Sequence, residues 1–307
     1  MQENMQENTK ETVPQNEEEA VEKKHLKIHF GKKESVIVCT VAAIICLFTA
    51  GYLVYDFYRE EAASEQKMEE LRQLSEIAEP IQTPMSTPIP TPVPTVAPAA
   101  TPEVVLADNP YADIFAQNAD MVAWLSIEGT KIDYPVMQTM EDENYYLERD
   151  FEGNYDKAGC LILDTESSLY GEVSTNQIIH GHNMKAGTMF GGLKLYEEED
   201  YGKEHSRIQL FTKDMERNYE VIAVFYSQVF YATDLVFKYY NFFQADTEEQ
   251  FQYFYDNIKK MSLYDTGVEA EFGDRFLTLS TCSYQVEDGR FVVVAKEVEP
   301  GDTYRME

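Results

Sequence analysis

The feature that most constrains this chain is a charge-free apolar run from Ser35 to Tyr55, SVIVCTVAAIICLFTAGYLVY. About twenty such residues, wound as a helix, are long enough to cross the hydrocarbon core of a bilayer. A buried core helix rarely stays apolar on every face for that long. The run therefore reads as a transmembrane signal anchor over residues 35–55. Lys23, Lys24, Lys27, Lys32 and Lys33 precede it, whereas Asp56, Arg59, Glu60 and Glu61 follow. That asymmetry predicts a cytoplasmic N-terminal head, residues 1–34, and an extracellular remainder. No small-residue cleavage site follows the run, so it is expected to stay in place. The head is acidic and then basic, a composition that favours disorder.

Beyond the anchor, composition changes twice. In residues 56–79, Met68, Leu71, Leu74 and Ala78 recur at helical spacing among Glu, Gln and Lys, as in a stalk helix, here read as a solvated spacer. Residues 80–107 repeat Thr83-Pro84, Thr87-Pro88, Thr91-Pro92 and Thr101-Pro102, a linker that favours extended polyproline II and cannot build a core. From residue 108 aromatic and apolar residues return and persist to about 299, a normal size for one domain, with a short tail at 300–307. A net charge of −30 argues against nucleic acid as a partner, because phosphate recognition needs clustered Lys and Arg.

Within 108–299 the strand signals are short β-branched or aromatic runs bounded by Gly, Asp or Asn. They are Trp124–Ile127, Ile132–Val136, Cys160–Leu163, Gln177–Ile179, Ile208–Phe211, Tyr219–Tyr226, Phe276–Thr281 and Phe291–Lys296. Helices are expected near Tyr111–Asn118, Met189–Tyr196 and Thr247–Lys260. The last has an apolar face of Phe251, Phe254, Tyr255 and Ile258, and Asp246 with Glu249 resembles a capping box. The fold class is mostly β, a barrel with helices packed outside it.

Two places carry chemistry. Ile178-Ile179-His180-Gly181-His182-Asn183-Met184 reads as a buried strand ending at a glycine that lets the chain turn and leaves a histidine at its tip. Histidines two apart on a strand share a side and form a plausible metal pair, but His25, His29 and His205 offer no evident third ligand, so no metal and no cofactor are expected. In Leu277-Thr278-Leu279-Ser280-Thr281-Cys282-Ser283-Tyr284 a second strand ends at a thiol, and the returning strand opens with Arg290. A permanent cation beside a strand-end thiol can stabilise a thiolate or an oxyanion. Of four cysteines, Cys39 and Cys46 lie in the anchor and Cys160 reads as a core residue, which leaves Cys282 as the functional candidate.

Jointly, His180-Gly181-His182-Asn183-Met184 with Thr188-Met189-Phe190, Leu279-Ser280-Thr281-Cys282 and Arg290-Phe291-Val292-Val293-Val294-Ala295 resemble the sortases over nearly all of 109–298. The helical insert near 247–260 and the helix before Trp124 resemble class B. The resemblance implies an eight-stranded β-barrel with an N-terminal helix, a long helix before the last two strands and a single transmembrane helix ahead of them. It implies a cysteine transpeptidase with Cys282 as nucleophile, His182 as general acid and Arg290 as oxyanion stabiliser. By the same analogy Leu147, Ser280 and Thr281 contact the substrate. The implied partners are secreted proteins with a C-terminal sorting motif, and a peptidoglycan or lipid-linked amine as acceptor, at the envelope of a Gram-positive type cell. One departure is His180, where an aromatic such as Tyr is expected. Asp164 and Asp288 are candidates for a third, carboxylate position. The alternatives are a cell-wall cysteine peptidase, a pilus-polymerising sortase, and a non-catalytic module on a stalk.

Overall fold

A computed structural model of the protein describes residues 32–76, 108–283, 286 and 288–303. The expected head up to residue 31 and the Pro-rich linker lie outside the described residues. The chain forms two compact units, one ending at Tyr55 and one beginning at Asp56.

In the first unit the apolar run is helical, part of helix α1 (Lys32–Glu76). Its most apolar 18-residue window has a mean hydropathy of 2.4, which makes it a candidate membrane span. Large side chains such as Leu47 and Phe48 point outward, 73% and 75% exposed, which suits hydrocarbon rather than water. The Thr40 and Thr49 hydroxyls donate to the carbonyl oxygens of Val36 and Ile45 at 2.8 and 3.0 Å, so neither donor is left to face lipid.

The second unit is built on β1 (Met121–Ser126), β2 (Asp133–Met137), β3 (Leu161–Leu163), β4 (Asn176–Gly181), β5 (Arg207–Phe211), β6 (Met215–Gln228), β7 (Phe276–Ser283) and β8 (Gly289–Thr303). They close as a barrel in the order β1-β2-β3-β4-β7-β8-β6-β5. The β2–β3 and β4–β7 pairs are parallel and the rest antiparallel. Short helices α2 (Ala112–Phe115) and α3 (Glu199–Glu204) and the longer α4 (Glu248–Met261) accompany it.

Alternation along β8 explains why its sequence is apolar without a break. Phe291, Val293 and Ala295 enter the main core with Leu277 and Leu279, while Val292 and Val294 join a second core beneath α4 with Phe251, Phe254, Ile258 and Phe276. A strand covered on both faces needs apolar residues at every position. Helix α4 is fixed at its start by Thr247, whose hydroxyl accepts from Gln250 N–H in a capping box. That box lies one residue beyond the Asp246–Glu249 pair expected from sequence.

Two expectations are corrected. The helix foreseen over Met189–Tyr196 is only a 3-10 turn, Leu193–Glu197, because Met189 takes a left-handed conformation at φ 51° and two glycines, Gly191 and Gly192, follow. The stretch read as a solvated spacer packs within the second unit: Met68 is 2% exposed and Leu71 lies in the main core cluster. Arg72 lies over the Tyr134 ring at 4.9 Å, donates to the Asp133 carbonyl at 3.1 Å and pairs with Glu65 at 2.9 Å. Lys67 pairs with the buried Asp150 carboxylate.

Candidate active site

Register brings the two strand ends together. Cys282 stands directly opposite Arg290 in the antiparallel β7–β8 hairpin. Strand β4 runs parallel to β7 on its other side, with Gly181 opposite Thr281, so His182 emerges beside Cys282. All three line one cleft of about 300 Å³. Cys282 is exposed, whereas Cys160 is fully buried and burial pushes its thiol far above the ordinary range, so it stays protonated.

Close packing holds this arrangement. A Cβ on Gly181 would stand 2.5 Å from Leu161 Cδ2 and 2.7 Å from Phe190 Cδ2, so the glycine serves close approach rather than the turn expected of it. Gly289 does the same for the hairpin, where a Cβ would meet the Ser283 carbonyl oxygen at 2.6 Å. Asn183 Nδ2 donates to the Cys282 carbonyl at 2.8 Å and ties the tip of β4 to that of β7. Arg290 Nη1 donates to the Asp288 and Gly289 carbonyls at 3.3 and 3.0 Å. His182 Nε2 is buried and has no hydrogen-bond partner among the described residues, a state that native proteins rarely leave uncompensated.

The carboxylates foreseen as third members stand elsewhere. Asp164 Oδ2 lies 3.4 Å from His180 Nε2, and Asp288 meets Arg290 through its backbone oxygen. Leu147, Ser280 and Thr281 all line the cleft. The Ser280 hydroxyl is hydrogen-bonded to Tyr239 Oη at 2.7 Å, and the Thr281 hydroxyl donates to the Gly181 carbonyl at 2.8 Å, so both are also structural. Nothing in the sequence marked Tyr239, Glu143 and Asn144, which reach the cleft from a 3-10 turn (Tyr239–Asn241) and from the loop between β2 and β3. Among the described residues, Glu143, Asp164 and His180 form the group whose donor atoms could hold a metal ion, within 4.8 Å of one another. The His180–His182 pair considered from sequence is not that group.

A closed barrel carries an exposed thiol, an imidazole and a guanidinium at the ends of three adjacent strands, an arrangement that defines a β-barrel protein with a cysteine-type site. The family described as Sortase domain matches residues 125–298. The chain is 33% identical over 188 residues to Sortase B of Listeria monocytogenes, covering 61% of this chain and 73% of that protein. The X-ray structure of Clostridium perfringens sortase B superposes with a TM-score of 0.54 at 28% identity, covering 61% of this chain and 98% of that one. The Staphylococcus aureus sortase B-substrate complex has the same fold at a TM-score of 0.60 and 23% identity, covering 78% and 97%. The chain belongs to the sortase family, class B, whose members are cysteine transpeptidases that anchor proteins to the cell wall.

Proposed function

We propose that Cys282, His182 and Arg290 carry a two-step acyl transfer from a secreted protein to an amine of the cell-wall peptidoglycan. The observation that supports this most is the shared cleft, with Cys282 in register with Arg290 and flanked by the residue that follows β4. The Cys282 thiolate attacks the carbonyl carbon of the scissile peptide bond in a C-terminal sorting motif. The C–N bond breaks, and His182 gives its proton to the departing amine, leaving a thioester on Sγ. An acceptor amine then attacks the thioester carbonyl, the C–S bond breaks, and His182 takes up the proton lost by the new amide nitrogen. Arg290 stabilises the oxyanion in both steps through guanidinium N–H groups other than those that Nη1 directs at the Asp288 and Gly289 carbonyls. Leu147, Ser280 and Thr281 border the path of the sorting motif.

The same reading assigns residues 108–299 to the catalytic domain, 35–55 to the anchor and 80–107 to the spacer, with the N-terminus cytoplasmic and the catalytic domain outside. The test incubates the full chain in detergent micelles with a sorting peptide and saturating amine, followed by mass spectrometry. The expected result is a thioester on Cys282 and an amide product, both lost in Cys282→Ala. Hydrolysed peptide alone, at every amine concentration, would refute transfer.

A further inference from the structure

A thiol, a guanidinium and a hydroxyl lie in one row across three strands, and acyl transfer as described uses only the first two. Cys282 on β7 stands opposite Arg290 on β8, and Arg290 stands opposite Ser227 on β6. Residues directly opposite in an antiparallel pair project to the same face, with Cβ atoms about 4.5–5.5 Å apart. The next row in the same register, Ser280, Val292 and Phe225, fixes which face this is, because Val292 and Phe225 belong to the core beneath α4. Ser227 is therefore the neighbour of Arg290 on the side away from the thiol. Its hydroxyl is buried and has no hydrogen-bond partner among the described residues, a state that native proteins rarely leave uncompensated. Other hydroxyls on this face are committed elsewhere. Tyr239 Oη is bonded to Ser280 Oγ at 2.7 Å, and Tyr240 Oη accepts from the Phe230 N–H at 2.9 Å. Among the described residues Arg290 is hydrogen-bonded through Nη1 alone, to the Asp288 and Gly289 carbonyls. A guanidinium held at one nitrogen can still turn about it, so these bonds leave open where its other N–H groups point.

We infer that Ser227 is a positioning residue for Arg290: its hydroxyl accepts a guanidinium N–H that Nη1 does not supply, and so aims the remaining ones at the oxyanion. The inference rests on the acyl-transfer reading of Cys282. Distance keeps Ser227 from acting on the substrate itself. Two strand spacings of about 4.8 Å put its backbone roughly 10 Å from that of Cys282, with Arg290 between them. A short hydroxyl suits the task. It satisfies one N–H without offsetting the guanidinium charge, whereas a carboxylate in the same place would hold Arg290 in an ion pair and weaken its hold on the oxyanion.

The test is a double-mutant cycle in the full chain in detergent micelles, built from Ser227→Ala, Arg290→Gln and the two together. Acylation is followed through release of the leaving fragment of a sorting peptide. A second readout is the affinity of a peptide aldehyde ending at the acyl residue, measured by fluorescence anisotropy. Its capture needs no leaving group: the Cys282 sulfur bonds to the aldehyde carbon, the C=O bond becomes single, and the thiol proton ends on that oxygen. Ser227→Ala should lower kcat/KM and aldehyde affinity about tenfold when Arg290 is present and about twofold or less beside Arg290→Gln, as loss of one hydrogen bond to a charged group requires. Binding of the unreacted sorting peptide to Cys282→Ala should change by about twofold or less when Ser227→Ala is added, so that the loss falls on kcat rather than KM. Ser227→Thr keeps the hydroxyl and should recover most of the parent rate. Should Ser227→Ala not fold, Ser227→Val replaces it in the cycle, as the isostere of Ser227→Thr without the hydroxyl. Equal losses with and without Arg290→Gln mark a merely structural serine and overturn the inference. So does parent-like acylation without the hydroxyl, or a Ser227→Thr chain no better than Ser227→Val. Coupling in aldehyde affinity with no thioester from any sorting peptide would instead refute the acyl-transfer reading alone.

Discussion

At the scale of single residues, the site depends on what glycine omits as much as on what its reactive side chains supply. Gly181 sits immediately before His182, against Leu161 and Phe190. In Gly181→Ala the new methyl must displace at least one of those side chains, at a cost of about 1–3 kcal/mol for overpacking. The single tryptophan, Trp124, is fully buried and reports that loss in urea unfolding followed by its fluorescence. Acylation should fall more than tenfold at temperatures where the variant is still folded, and an unchanged unfolding midpoint would contradict the crowding. The convergence of His182, Cys282 and Arg290 on one cleft could be expected from sequence because each sits at the end or the start of a strand whose own residues announce it. Tyr239, Glu143 and Asn144 could not, since they lie in a 3-10 turn and a loop remote in sequence from β7, and nothing local marks which connection closes over a strand end.

At the scale of elements, β7, β8 and α4 could be read directly, because unbroken apolar β-branched runs and a 3.6-residue aromatic stripe each have one physical solution here: a strand covered on both faces and a helix covering it. The C-terminal part of α1 could not. Its polar residues dominate, and Met68 and Leu71 look too few to pack until Arg72 and Lys67 find Tyr134, Asp133 and Asp150. Replacing Met68 and Leu71 together by Ala should therefore cost about 2–5 kcal/mol, where a solvated spacer would lose almost nothing. The Lys67–Asp150 pair adds a pH signature. Burial alone would raise the Asp150 pKa, but the Lys67 ammonium and the Asn154 N–H outweigh it and hold the carboxyl below its usual value. A depressed carboxyl contributes its full stability above the unfolded pKa of about 4 and loses it as pH falls through the lower folded value. Because Lys67 is half exposed, screening reduces the pair to about 1 kcal/mol. Lys67→Gln should lag the parent by that amount at pH 6 and converge with it as the pH drops below about 4 in acid unfolding curves.

At the scale of the whole molecule, the four cysteines report both topology and chemistry, because they stand in three different environments. Cys39 and Cys46 lie in the apolar span, Cys160 is sealed in the barrel core, and Cys282 is exposed at the cleft. The lysines before the span and the carboxylates after it set the proposed direction of insertion, with the barrel outside. A thiol reagent that cannot cross membranes should then label intact cells at Cys282 alone, and the Cys282→Ser chain should remain unlabelled until detergent and denaturant expose the others. Competition adds the functional half: a peptide occupying the cleft should slow labelling of Cys282 without altering that of Cys160 in unfolded protein. Labelling that appears only after the cells are permeabilised would reverse the orientation and put the thiol on the side where no wall substrate passes. Protection of Cys282 in intact cells together with normal labelling of purified protein would instead mean that the cleft is covered in the envelope. Because each outcome is read at a single sulfur, the experiment separates where the domain works from whether its cleft is open there.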